Sequence, residues 1–293
     1  MWRRMKVLYI FVDGLGIRGP SADNPVNKAV CPNLCELVEA SGCLIDACLD
    51  MPGLPQSATG QASLYTGLNA ARQVGRHMEG FPGPTLRSLI REDNLFLKLQ
   101  RRGLRVKFAD AYMADRVEEI EARRFKSVTT VMGLTCPQVF SFREDMLANQ
   151  AVFHDITRES LLAKGYSGPV VTPAKAAEHL IQLAITYDFT LFEFFQSDLA
   201  GHSSSLEEAV ACLQTLDAFI GPLAAMARQA NLLFILTSDH GNIEDMSVHS
   251  HTTNPVPLVV FGPEAEAFQV GVRSLTDVTP CILRTIMPGA GHA

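Results

Sequence analysis

In three places the chain sets a carboxylate or an imidazole just beyond a run of apolar residues. Leu232-Leu233-Phe234-Ile235-Leu236 leads through Thr237 and Ser238 into Asp239-His240-Gly241-Asn242, and His251-Thr252-Thr253-Asn254-Pro255-Val256-Pro257 follows soon after. Near the amino terminus Val7-Leu8-Tyr9-Ile10-Phe11-Val12 ends in Asp13-Gly14. Phe192-Glu193-Phe194-Phe195 runs on through Gln196 and Ser197 to Asp198, with His202 one helical turn later. Short apolar runs of this kind read as buried strands, and open α/β sheets bind ligands beyond the carboxyl ends of their strands. Mixed Asp and His donors suit a borderline divalent ion, Zn or Mn, better than Mg. One Asp-Gly after a strand is an ordinary turn. Asp13, Asp198, His202, Asp239 and His240 at three such ends predict a common metal-binding edge.

The spacing adds detail. Asp198 and His202 stand four apart, so on a helix they share a face. Asp239 and His240 are adjacent, and adjacent side chains diverge on a strand; both face one ion only if the backbone turns, which Gly241 permits. His249 is a rival to His251 as a further imidazole in the same segment.

The elements that must position these groups alternate along the chain. Strands are expected at residues 6–12, 44–47, 104–109, 190–195, 231–237 and 258–261. Helices are expected at 32–40, 57–66, 95–102 with Gly103 as its stop, 173–185 with Pro in its first turn, and 276–285. Leu206, Val210, Leu213, Leu216, Ile220 and Leu223 form a long stripe that reads as core packing. The alternation predicts a single three-layer α/β domain, with a mostly parallel central sheet and helices on both faces. Residues 111–151 break the rhythm and read as a small cap inserted over the site.

With 293 residues, 47% of them apolar, the chain can bury a large core. Its formal charge of −6, with no Lys/Arg block beyond the short tip MWRRMK, argues against nucleic acid as a partner. No uninterrupted apolar run reaches membrane-spanning length, and no leader-like stretch stands at the amino terminus, so a cytoplasmic protein is expected. The seven Cys are expected as free thiols. Cys31, Cys35, Cys43 and Cys48 do not follow a common zinc-binding spacing.

The motifs VDGLG, SDLAGH, SDHGN and HTTNPVP resemble those of the alkaline phosphatase superfamily, nearest its branch of cofactor-independent phosphoglycerate mutases and phosphopentomutases. The resemblance covers roughly the first eighty residues and those after about Pro173. It implies two divalent metal ions: one held by Asp198, His202 and His251, the other by Asp13, Asp239, His240 and the oxygen of a nucleophile. The nucleophile falls in GLPQSATGQASLYTG, where Ser57 and Thr59 compete. In the mutases the nucleophilic hydroxyl is followed three residues later by Gly and then His, a pattern that Ser57 fits, with Gln61 in place of the His. Gln56 replaces the Asn or Asp that often precedes the nucleophile. A helix starting at Ser57 aims backbone N–H groups at a phosphate. Arg72 and Arg76 follow that helix and have the fork geometry that suits phosphate; a solvated surface is the alternative. The implied activity is phosphoryl transfer through a phosphoserine on a small phosphorylated metabolite. Hydrolysis is the expected outcome, because caps in this superfamily choose the substrate and this one is small. A phosphomutase is the alternative, and a non-catalytic metal- or phosphate-binding relative is a third reading.

Overall fold

The structure, a computed structural model, describes residues 5–203 and 205–286, so the first four residues of the basic tip lie outside it. Six strands form one sheet: β1 (Val7–Val12), β2 (Gly42–Ile45), β3 (Val106–Phe108), β4 (Phe189–Phe194), β5 (Leu233–Thr237) and β6 (Val256–Phe261). The helices are α1 (Pro32–Ser41), α2 (Ser57–Thr66), α3 (Ala70–Val74), α4 (Pro84–Glu92), α5 (Leu95–Arg101), α6 (Val117–Glu121), α7 (Val128–Gly133), α8 (Arg143–Leu147), α9 (Pro173–Thr186), α10 (Gln196–His202), α11 (Leu206–Gln229), α12 (Ala265–Val270) and α13 (Leu275–Thr285).

The strand order is β2-β6-β5-β1-β4-β3. β1 pairs in parallel with β4 and β5, and β3 in parallel with β4. β6 alone runs against the rest, antiparallel to both β5 and β2. The expected three-layer, mostly parallel sheet is therefore present. β1 shows why it reads as an unbroken apolar run: both of its faces are covered. Val7, Tyr9 and Phe11 pack into one cluster with side chains from α2, α4, α5 and α13. Leu8, Ile10 and Val12 pack into another with α1, α9 and α11.

α11 is long and apolar enough to cross a membrane by length and composition, although no unbroken apolar run suggested it. Its apolar stripe is spent inside the protein: Leu213, Leu216, Phe219, Ile220 and Leu223 are all fully buried in the second cluster. Asp217 on the same helix is buried because it caps α1, accepting from Leu34 N at 2.8 Å and Asn33 Nδ2 at 2.8 Å.

In the segment 111–151, Ile120, Val128, Val131 and Met132 join the first core cluster. Ala111, Met146 and Ala151 form a separate small cluster with Phe153 and Leu161.

Register is what positions the site. Val12 stands opposite Phe194, and Phe11 opposite Thr237. The carboxyl ends of β4, β1 and β5 are thus level and adjacent, so Asp13, the start of α10 and Ser238-Asp239-His240 emerge at one edge.

Candidate metal centre and its nucleophile

The loops at this edge are laced together before any ion is considered. Ser197 Oγ donates to Asp13 O at 2.6 Å, and Ser238 Oγ accepts from Leu15 N at 2.9 Å. Glu244, fully buried, ties down the loop between β5 and β6. It accepts from Gly16 N, Asn242 N, Asn254 Nδ2 and Thr252 Oγ1. Gly14 has φ +69, and a Cβ there would stand 2.8 Å from Asp198 Oδ1. Gly241 does not take up a left-handed backbone. The chain nevertheless bends at Asp239 and His240, and both side chains face one group; the missing side chain of Gly241 lets Thr252 and Glu244 approach.

All six expected ligands converge. Asp198 Oδ1 lies 3.5 Å from His202 Nε2 and 3.5 Å from His251 Nε2, and the two imidazole nitrogens are 3.1 Å apart. A point equidistant from three such corners is about 2 Å from each, the ordinary metal–imidazole bond length. Asp198 and His202 share a face of α10, as their spacing requires. His251 Nδ1 pairs with Pro55 O at 2.9 Å, which makes Nδ1 the protonated nitrogen and leaves Nε2 free to bind a cation. His249 is exposed, whereas His251 is buried.

Beside this triangle, His240 Nε2 lies 3.2 Å from Asp13 Oδ1, 3.6 Å from Asp239 Oδ2 and 3.0 Å from Ser57 Oγ. Its ring stacks on that of His251 at 3.8 Å between centroids. His240 therefore lies within reach of both ligand groups, Asp13-Asp239-His240 and Asp198-His240-His251, while His202 closes the second group from its more exposed side.

The electrostatics call for cations here. Asp13 Oδ1 and Asp239 Oδ2 are buried and share only His240 Nε2, 3.2 and 3.6 Å away, with no other hydrogen-bond partner; a buried oxygen left under-satisfied in this way costs about 1–3 kcal/mol. Burial, with the Asp13 charge added, raises Asp239 well above the ordinary carboxylate range, and burial raises Asp13 as well. Burial alone would lower His240, but Asp239, Asp13 and Asp198 outweigh it and push its imidazole up to about 10. That proton is the positive charge the site needs when no ion supplies one. His251 moves the other way, down to about 4, through burial and the neighbouring His240 charge, and so stays a neutral donor. The donor set and its under-satisfied carboxylate oxygens fit two divalent ions.

Ser57 is the first residue of the ten-residue α2, and its hydroxyl faces His240. Thr59 faces away: its hydroxyl donates to Gln56 O and accepts from Met78 N. Gln61 Nε2 donates to Asp13 Oδ2 at 3.0 Å and so orients that carboxylate. Asn242, which the motif reading left without a role, donates from Nδ2 to Asp198 Oδ1 at 2.7 Å. Arg72 and Arg76 are exposed on and just after α3 and do not line the cavity above these groups. Closeness in sequence to Ser57 does not bring them to it, because α2 runs away from the site before α3 begins. The cations that do line the cavity are Arg123, Arg143 and Lys164. The cavity measures about 990 Å³ and also takes in Asp13, Ser57, Gln61 and Asp198. The seven Cys are free, and none belongs to the metal-suited clusters among the described residues.

The chain is 34% identical over 122 residues to the 2,3-bisphosphoglycerate-independent phosphoglycerate mutase of Mycoplasmoides gallisepticum, an overlap of 40% of this chain and 24% of that protein. It therefore spans only about a quarter of that relative's length. In fold it is similar to the PH0037 protein of Pyrococcus horikoshii, with a TM-score of 0.59 and 18% identity over 100% of this chain and 99% of that one. It is also similar to the alkaline phosphatase of the Antarctic bacterium TAB5, with a TM-score of 0.53 and 14% identity over 97% and 98% of the two chains. The family model described as the metalloenzyme superfamily matches residues 5–288, and the chain, with its Asp and His side chains gathered at the carboxyl edge of the sheet, belongs to that superfamily.

Proposed function

We propose that this protein is a two-metal phosphohydrolase that cleaves small phosphate monoesters through a phosphoserine at Ser57. One observation carries the reading above all: Ser57 Oγ, at the start of α2, lies 3.0 Å from the imidazole nitrogen that also approaches Asp13 and Asp239. A serine hydroxyl is a poor nucleophile at neutral pH unless a base or a cation favours its alkoxide. Asp13, Asp239 and His240 would hold one ion beside Ser57, and Asp198, His202 and His251 the other. When bound, the ions supply Lewis acidity that favours the alkoxide and neutralises charge on the transferring phosphoryl group.

The chain's own groups do the rest. Ser57 Oγ gives up its proton and forms a bond to phosphorus as the bond to the leaving alcohol oxygen breaks; that oxygen takes up one proton from water and leaves as the alcohol, so the step neither gains nor loses a proton overall. At the start of α2 the Ser57 and Ala58 N–H groups have no partner within the helix and suit incoming negative charge, whereas Thr59 N and Gly60 N already donate to Met78 O and Gln56 O. Gln61 and Asn242 hold Asp13 and Asp198 in place through their 3.0 and 2.7 Å hydrogen bonds. Water then attacks the phosphoserine, releasing phosphate and restoring Ser57. Zn or Mn is the expected pair of ions, because His202, His240 and His251 supply nitrogen donors.

The name of the Mycoplasmoides gallisepticum relative favours a second reading, a phosphomutase that returns the phosphoryl group to another hydroxyl. The cap reading of segment 111–151 argues for hydrolysis, since a mutase must keep water from the phosphoenzyme until the second transfer. The test is to chelate the protein, restore Zn or Mn, and assay free phosphate and isomerised product on the same phosphosugars and phosphoglycerates. Phosphate release that depends on added metal supports the proposal. Isomerisation with little phosphate supports the mutase.

A further inference from the structure

The cavity over Ser57 is far larger than a phosphoryl group needs. Pockets of roughly 300–1,000 Å³ take drug-sized ligands, so about 990 Å³ leaves most of the space empty around a three-carbon phosphate ester. The walls say what fills the remainder. Phe81, from the loop before α4, and Phe125, from the loop before α7, stack on each other at 5.2 Å between centroids with planes 28° apart. Both line the cavity, yet they are 50% and 57% exposed. Two large rings left half in water beside a polar centre mark a ligand-binding surface rather than core packing.

A second flat stack lines the same cavity. His154 lies on Phe195 at 4.5 Å and 29°. Burial lowers the His154 imidazole to about 4, so it presents an uncharged face, and Gln196 Nε2 pairs with its Nδ1 at 2.9 Å. Phe195 is only three residues before Asp198, which ties this stack rigidly to the metal-binding edge. Arg123, whose guanidinium lies over the Tyr112 ring at 5.1 Å, brings positive charge to the same space.

We infer that the alcohol part of the substrate carries a planar aromatic or heteroaromatic ring, held against the exposed faces of Phe81 and Phe125 while its phosphate meets Ser57. The inference rests on the phosphohydrolase reading above. The Phe81–Phe125 pair already spends one face of each ring on the other, so the substrate ring lies on an outer face rather than between them. Offset stacking of this kind is worth up to roughly tenfold in affinity per aromatic partner.

The test compares kcat/KM of the metal-loaded protein on two matched pairs: adenosine 5′-monophosphate against ribose 5-phosphate, and benzyl phosphate against cyclohexylmethyl phosphate. Within each pair the leaving oxygen is of one chemical kind, so a difference reports the ring. The expected result is a preference of about tenfold or more for the ring-bearing member of at least one pair, and which pair shows it separates a nucleoside from a simple aryl group. Phe81→Ala and Phe125→Ala should each move that ratio towards one, through KM. Ratios near one in both pairs, or ratios unmoved by either variant, would overturn the inference. In that event a phosphoserine trapped with ribose 5-phosphate leaves the phosphohydrolase reading standing. No turnover and no phosphoserine with any of the four esters would remove both.

Discussion

Replacing Glu193 by Gln probes whether this edge of the sheet is built to demand cations. Glu193 sits on β4, buried, and accepts a 2.6 Å hydrogen bond from Thr129 Oγ1. Burial, with the Asp13 charge added, pushes its carboxyl up from 4.5 to about 8. The folded pKa exceeds the unfolded one, so between these values the folded protein keeps a proton that the unfolded chain gives up. Stability is therefore full below about pH 4.5, falls as pH rises, and levels off above about 8. At about 1.36 kcal/mol per unit, the penalty at pH 7 approaches about 3 kcal/mol. Gln has nearly the same shape, keeps an acceptor for Thr129 and cannot ionise. Metal-free Glu193→Gln should therefore be about 3 kcal/mol more stable than the metal-free parent at pH 7, with the gain gone near pH 4. For a chain of this length that corresponds to several degrees in Tm. Thermal and urea unfolding of chelated protein from pH 4 to 9 would measure it. Parallel stability curves for the two proteins, or a less stable Glu193→Gln at pH 7, would refute the argument.

Other outcomes follow from the same geometry. Asp239→Asn and His251→Ala should each lower metal-dependent turnover by at least about a hundredfold, on the scale of losing a metal-orienting group or more; their circular dichroism should stay unchanged because both side chains lie in loops. Asn242→Ala, which frees Asp198 Oδ1 from its 2.7 Å hydrogen bond, should weaken metal affinity by about ten- to a hundredfold, read by competition with a chelating dye. Coupled assays should find more free phosphate than isomerised product on phosphosugars and phosphoglycerates, and the reverse ratio would favour the mutase.

The parts of this site that were legible in the sequence are local. Asp13, Asp198 with His202, Asp239 with His240, and His251 each sit in a short motif next to a strand or a helical turn, so spacing suggested a common edge and the family resemblance of the motifs assigned the ligands. α2 begins at Ser57 and ends at Thr66 as expected. The less legible parts depend on contacts between distant segments. Glu244 looks like any loop Glu in the sequence, and its four hydrogen bonds come from three separate places in the chain. Arg158 is fully buried, donating to Met146 O and Asn149 Oδ1, with nothing in its neighbours to announce it. β6 reads as one more apolar strand, because composition carries no direction. α4 was not anticipated, although Pro84 at its first turn and the buried Leu86 and Ile90 are its signal. Arg72 and Arg76 were misplaced by nearness in sequence, whereas two of the cavity's cations, Arg123 and Arg143, come from the irregular segment 111–151 and the third, Lys164, from beyond it.

The central claim is that Ser57 becomes phosphorylated with two divalent ions held beside it. Acid-quenching the metal-loaded protein during turnover, followed by peptide mass spectrometry, tests it most directly. The account predicts phosphate on Ser57 in the metal-loaded protein, none after chelation, none in Ser57→Ala, and a remaining phosphoserine in Thr59→Ala. Phosphate on Thr59, or steady metal-dependent turnover with no phosphorylated residue, would contradict it.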